Sequence, residues 1–157
     1  MSTSHEYRAQ LSWEGNLGTG TARYDGYART WRVRMAGKTD LLGTADPAFR
    51  GDTDKYNPED LLVASLGACH MLTYLALCAK YKISVLSYRD EATGVMKTTP
   101  DGGGAFESVT LHPAVEIADA AMHDKAVELH EKAHALCFIA RSVNFPVLHE
   151  ATVNPKP

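Results

Sequence analysis

The stretch "NPEDLLVASLGACHMLTYLALC", residues 57–78, constrains the fold more than any other part of the chain. Asn57 is a good helix N-cap, Pro58 suits the first helical position, and Glu59 and Asp60 complement the positive end of the helix dipole. From Leu61 to about Tyr81 almost every residue is apolar or small. A helix that is apolar around most of its circumference is a buried one. The other elements must therefore wrap it, and the pattern demands more cover than one thin sheet supplies.

The flanking segments read as strands and one further helix. "EYRAQLSWEG" alternates and ends at Gly15, and "TARYDGYARTWRVRMAG" predicts strands around a turn at Asp25-Gly26. "GTADPAFRGDTDKY" is a loop. "ISVLSYRDEATGVMKT" and "AFESVTLHPAVEIA" predict two long strands joined through "TPDGGG" as a hairpin. A second helix is expected from about Met122 to Leu136, with Ala126, Leu129, Ala133 and Leu136 on its apolar face and a possible continuation to Arg141. "FPVLHEATV" closes the chain as a strand, with Pro146 at its start or on an edge. The expected class is α+β, in a single domain over residues 1–157.

Charge and composition exclude several function classes. A net charge of -3 with both signs interspersed gives no electrostatic footprint for nucleic acid or an anionic membrane. Arg29, Arg32 and Arg34 cluster, but in an alternating segment that reads as a solvated strand face. No stretch approaches the roughly 20 unbroken apolar residues of a membrane span. The amino-terminal "MSTSHEYRAQ" is polar, so the expectation is a cytoplasmic protein. Three cysteines in a reducing compartment argue against a disulfide framework.

Each cysteine then needs its own reading. Cys78 follows Cys69 by nine residues, about 180° around a helix, so the two thiols face opposite ways. Cys78, amid Leu75, Leu77 and Ala79, reads as a small core hydrophobe. Ser65, Leu66, Thr73 and Ala76 share the side of Cys69, with Gly67 and Ala68 beside it, which lets a second segment approach the sulfur. Cys137 ends "HEKAHALC", where His130, His134, Cys137 and Arg141 would share an arc of about 100° on a continuing helix. Three readings stand on these residues alone: a solvated polar face with inert thiols, a metal site, or a redox pair. The metal reading is the weakest, because His70 lies about 100° from Cys69 and no C-x-x-C pair occurs.

At these residues the chain resembles the osmotically induced protein C / organic hydroperoxide resistance (OsmC/Ohr) family, in its OsmC-like branch. "NPEDLLVASLGACHMLTYLAL" carries the family's Asn-Pro-Glu-x-Leu, small-residue run and first cysteine. "AHALC" resembles the H-x-x-C at its second cysteine, and "LSWEG" resembles its opening. The resemblance implies an OsmC-like fold: antiparallel sheets wrapped around central helices in an intertwined homodimer, with sites at the dimer interface. It implies a cysteine-based peroxidase that reduces organic hydroperoxides and is regenerated by an external dithiol, with no cofactor and no metal. It makes Cys69 the peroxidatic thiol, Cys137 the resolving thiol and Glu59 the acidic partner of an arginine. That arginine corresponds best to Arg50, with Arg23 as the rival. One departure is plain: Phe138-Ile139-Ala140 stand where the family often has Pro-x-Ser after the second cysteine.

Elementary chemistry sets further conditions. A free thiol with pKa about 8.5 is only a few per cent ionised at neutral pH, and the thiolate is the nucleophile. A mid-helix cysteine gains nothing from the helix N-terminus, so a cation must come from elsewhere in the fold. Ten residues of straight helix span about 15 Å, so Glu59 and Cys69 of one helix cannot both touch one guanidinium. Either the helix breaks after its first turn, or the glutamate and arginine serve a neighbouring chain's cysteine. Leu66, Leu72, Phe138 and Phe145 make the expected surroundings apolar, which favours an organic substrate. A second hypothesis of another class remains: a non-catalytic protein of the same fold that binds an apolar small molecule, with Cys69 structural.

Overall fold

A computed structural model describes residues 3–156, in which the chain divides into two compact units, Met1–Leu61 and Leu62–Pro157. The first unit holds one antiparallel sheet of β1 (Gln10–Trp13), β2 (Trp31–Arg34) and β3 (Leu41–Gly43), in that order. It is shorter than the alternation predicts, because residues 21–30 form turns and bends. Arg23 clamps Asp25 with two hydrogen bonds of 3.0 Å, and Arg29 caps the Tyr24 and Tyr27 rings and donates to both their carbonyls. Arg32 and Arg34 do lie on a charged strand face, where Arg32 bridges Glu14 and Asp40 and Arg34 also binds Asp40. A 3-10 turn over Pro47–Phe49 follows, capped by Asp46 and closed by Arg50 in the left-handed region at φ 68°.

Helix α1 (Pro58–Lys80) starts as its sequence demands. Asn57 Oδ1 accepts from the Asp60 N–H at 2.8 Å, and Asp60 Oδ2 accepts from the Asn57 N–H at 3.1 Å, a reciprocal cap. The helix runs unbroken to Lys80. Its length and composition alone would suit a membrane span. One face, however, carries Leu66, His70, Tyr74, Leu77 and Cys78 into the core of the second unit. Ala64, Ala68, Leu72, Ala76 and Ala79 are exposed in the single chain, Leu72 at 63%.

The second unit departs from the predicted pair of long strands. "ISVLSYRDEATGVMKT" divides into β4 (Val85–Asp90) and β5 (Thr93–Thr98), and "AFESVTLHPAVEIA" into β6 (Gly104–Leu111) and β7 (Pro113–Ile117). The closing segment likewise gives β8 (Val147–His149) and β9 (Thr152–Pro155). The breaks fall at one level, so what would be one sheet becomes two, ordered β5-β6-β8 and β4-β7-β9. Asp90 fixes the level by accepting from the His112 N–H at 2.8 Å, beside Pro113, which has no N–H to donate. The β6·β8 and β7·β9 pairs are parallel, so both sheets are mixed. Pro146 stands just before the edge strand β8, where its missing donor costs nothing.

Helix α2 (His123–Leu136) packs Ala126, Leu129 and Ala133 into the core shared with Tyr74, Leu77 and Cys78. It does not continue to Arg141. Cys137 is its C-cap, with extended backbone at φ -66° and ψ 114°, and a 3-10 turn over Ala140–Ser142 follows. The predicted arc of four polar residues on one continuous helix is therefore interrupted after His134. Leu136 is 44% exposed and leaves the apolar face assigned to it.

Candidate functional site

Within the second unit, Cys69 and Cys137 come together from two elements. Cys69 sits mid-way along α1 and is half-buried, whereas Cys137 is 1% exposed at the end of α2. Burial and a hydrogen bond with the Cys69 thiol push the Cys137 thiol up to about 11. The Ala140 N–H, which donates to the Cys137 sulfur at 3.4 Å, acts in the opposite direction. Cys78 lies in the core on the other side of α1, and burial raises its thiol as well.

Cys69 opens into a pocket of about 800 Å³. Ser65, Ala68, Thr73 and Ala76 form its floor, small side chains on the side of α1 that carries the thiol. Leu72 and Phe138 supply apolar walls as expected, and Leu136 joins them. Leu66 and Phe145 do not: both belong to the core cluster with Val109, Leu111 and Val147. Two cations also line the pocket, Arg141 and Lys80. Lys80 follows Cys69 by eleven residues, which returns it to within about 20° of the same side of the helix, a spacing legible in the sequence. Arg141 reaches the pocket because its N–H bonds the Cys137 carbonyl at 3.1 Å, which folds the chain back after the helix ends.

The remaining candidates lie in the first unit. Glu59 is half-buried in the first turn of α1, and Arg50 is exposed at the close of the 3-10 turn. Among the described residues no ion pair joins them. The Arg23 fork is already occupied by Asp25. Because α1 is unbroken, Glu59 stays about 15 Å from Cys69 along its axis.

In the second unit, four of the seven histidines cluster. His70 Nε2 and His130 Nδ1 are 3.1 Å apart, with parallel rings 6° from coplanar and centroids 5.4 Å apart. The rings thus meet edge to edge, each aiming a nitrogen at the other. His149 lies 5.5 Å from His70 and 5.6 Å from His134, centroid to centroid, and Tyr74 stacks on His130 at 3.8 Å. Burial holds His70 down to about 4 and His130 down to about 3, so both are neutral at pH 7. With the two nitrogens aimed at each other, one carries the proton and the other accepts it, so neither is free to hold an ion. Among the described residues no group of three or more His, Cys, Asp or Glu side chains is arranged to hold a metal. No local pattern could have joined His149 to this cluster, because strand β8 reaches it only through the fold.

Comparison with known proteins gives the same architecture. The profile of a family described as OsmC-like protein matches residues 51–151. An OsmC-like protein of unknown function from Vibrio cholerae is 28% identical over 95% of this chain and 100% of that one, with a TM-score of 0.84. An organic hydroperoxide resistance protein from Elizabethkingia anophelis, with thiocyanate bound, is 21% identical over 99% and 100% of the two chains, with a TM-score of 0.71. A further organic hydroperoxide resistance protein from Vibrio cholerae, with captopril bound in one of its active sites, is 20% identical over 98% and 94%, with a TM-score of 0.65. No curated protein matches the chain.

Proposed function

The chain belongs to the OsmC/Ohr family, and on that premise we propose that it is a cysteine-based peroxidase of organic hydroperoxides. One observation carries the reading: Cys69 opens into a largely apolar pocket, and its thiol is near enough to the buried Cys137 to help raise that second thiol. The Cys69 thiolate attacks the distal oxygen of the hydroperoxide, the O–O bond breaks, and the departing alkoxide takes a proton to leave as the alcohol. Cys69 is then a sulfenic acid. The Cys137 sulfur attacks it, loses its proton and expels the oxygen as water, leaving a Cys69–Cys137 disulfide. An external dithiol returns both thiols by exchange. Two electrons from two thiols balance the two-electron reduction of the peroxide.

The cation and its carboxylate come, on this reading, from Arg50 and Glu59 of a second copy in a homodimer. The bidentate Asp25 contact argues against Arg23. The unbroken α1 supports the two-copy arrangement, since it removes the alternative of a helix broken after one turn. The uncovered face of α1 supports it independently, and a cytoplasmic setting keeps the three thiols reduced. The deciding experiment is thiol titration before and after one equivalent of cumene hydroperoxide. Loss of two thiols per chain is expected. No loss would leave a non-catalytic binder of apolar molecules.

A further inference from the structure

Two directional contacts tie α1 to α2, and they stand four residues apart on each helix. Tyr74 Oη donates to the Ala126 carbonyl at 3.1 Å, and His70 Nε2 meets His130 Nδ1 at 3.1 Å. The core beside them is apolar, with Leu77 and Cys78 of α1 packed among Leu129 and Ala133 of α2. Apolar packing is non-directional and tolerates a helix that slides or turns slightly. A hydrogen bond is less tolerant, because it weakens steeply with distance and angle. The histidine pair also has no second choice. His70 Nδ1 and His130 Nε2 are buried without a partner, so a slipped seam would leave all four ring nitrogens unsatisfied. The rings are 1% and 2% exposed, which keeps water from replacing the lost bond.

The pair stands close to both thiols along the helices. His70 directly follows Cys69, and His130 precedes Cys137 by seven residues, which returns it to within about 20° of the same side of α2. Apolar side chains of similar volume at both positions would be nearly neutral or stabilising. A buried polar pair kept in such a place fixes register instead. We propose that His70 and His130 are positioning residues: their hydrogen bond sets one register of α1 against α2 and so holds the Cys137 sulfur opposite Cys69. Its use in turnover rests on the peroxidase reading, at the step that forms the disulfide. The register itself can be tested without a peroxide. A misplacement of about 1 Å can cost a positioned reaction roughly a hundredfold.

Exchange with glutathione measures how well the two thiols are held together. One glutathione disulfide is reduced to two thiols as Cys69 and Cys137 become a disulfide, and peptide mapping counts the product. Three full-length proteins are compared at pH 7: the wild type, His70→Leu with His130→Leu, and His70→Gln with His130→Asn. The leucine pair keeps the volume and loses the bond, whereas the amide pair returns polar atoms to the places of Nε2 and Nδ1. The leucine pair should melt at or above the wild-type temperature. Its equilibrium constant for the disulfide should nevertheless fall roughly tenfold, and the amide pair should recover to within about threefold. If the leucine pair does not fold, His130→Leu alone takes its place. A folded leucine variant with the wild-type constant would overturn the proposal. So would an amide pair no better than leucine, or a wild type that forms no Cys69–Cys137 disulfide. A wild-type disulfide that forms with glutathione but not with cumene hydroperoxide would remove the peroxidase and keep the register.

Discussion

Cys69 and Cys137 differ in surroundings as much as in proposed role. Cys69 is half-exposed at the pocket, so Cys69→Ser should abolish hydroperoxide turnover and leave the melting temperature within a degree or two. Cys78→Ala should do the reverse, keeping turnover while costing about 1 kcal/mol in a denaturant melt, because Cys78 is 1% exposed in the core. Cys137 adds a pH signature. Its thiol is pushed up to about 11, so its thiolate fraction grows about tenfold per pH unit below that value. Disulfide formation after a single peroxide pulse, followed by quenched-flow peptide mapping, should accelerate from pH 7 to pH 9. A pH-independent rate, or sulfinic Cys69 beside free Cys137, would remove Cys137 from the mechanism. That Cys78 lies in the core, on the side of α1 away from Cys69, was legible in the sequence, because the nine-residue offset follows from helix geometry. The nearness of Cys69 and Cys137 was open in the sequence as one reading among three, since the fold, not the spacing, brings α1 and the end of α2 together.

At the scale of elements, the histidine pair joins α1 to α2 in a form that only the neutral rings can keep. Both folded-state values lie below the ordinary histidine value of about 6.5, so the unfolded chain binds protons first as pH falls. Their contribution is fully present above about pH 6.5 and is lost progressively as pH falls toward 4 and 3. Urea melts at pH 7 and pH 4.5 should differ by a few kcal/mol, and His130→Gln should flatten that difference. An equal difference in the variant would assign the acid sensitivity to other groups. The start of the first helix was readable: the Asn57 cap and Pro58 at the first position follow from local chemistry. The bends were not. The segments that became β4 through β7 are continuous in β-propensity, and the division depends on Asp90 reaching the His112 N–H across 22 residues. A continuation of the second helix to Arg141 was open in the sequence, and the structure ends that helix at Leu136. Nothing in "LCFIARS" announces the extended backbone at Cys137.

For the whole molecule, the proposed two-copy site makes a prediction that neither residues nor elements make alone. Chains carrying Cys69→Ser and chains carrying Glu59→Ala should each be inactive, and mixing them with subunit exchange should restore about a quarter of wild-type turnover. That is one good site in each mixed dimer, with half of the dimers mixed. No recovery after confirmed exchange would put glutamate and thiol to work within one chain. The unbroken α1 also has a consequence for how such a protein tolerates change. Between Glu59 and Cys69 the helix acts as a camshaft, tying the angle of the thiol to that of the acidic end. One residue inserted in the first turns changes the angle between Glu59 and Cys69 by about 100°, while Cys69 keeps its place among the pocket residues beyond it. Four inserted residues bring the angle back to within about 40° but lengthen the shaft by about 6 Å. The length of the segment is thus held to a single value.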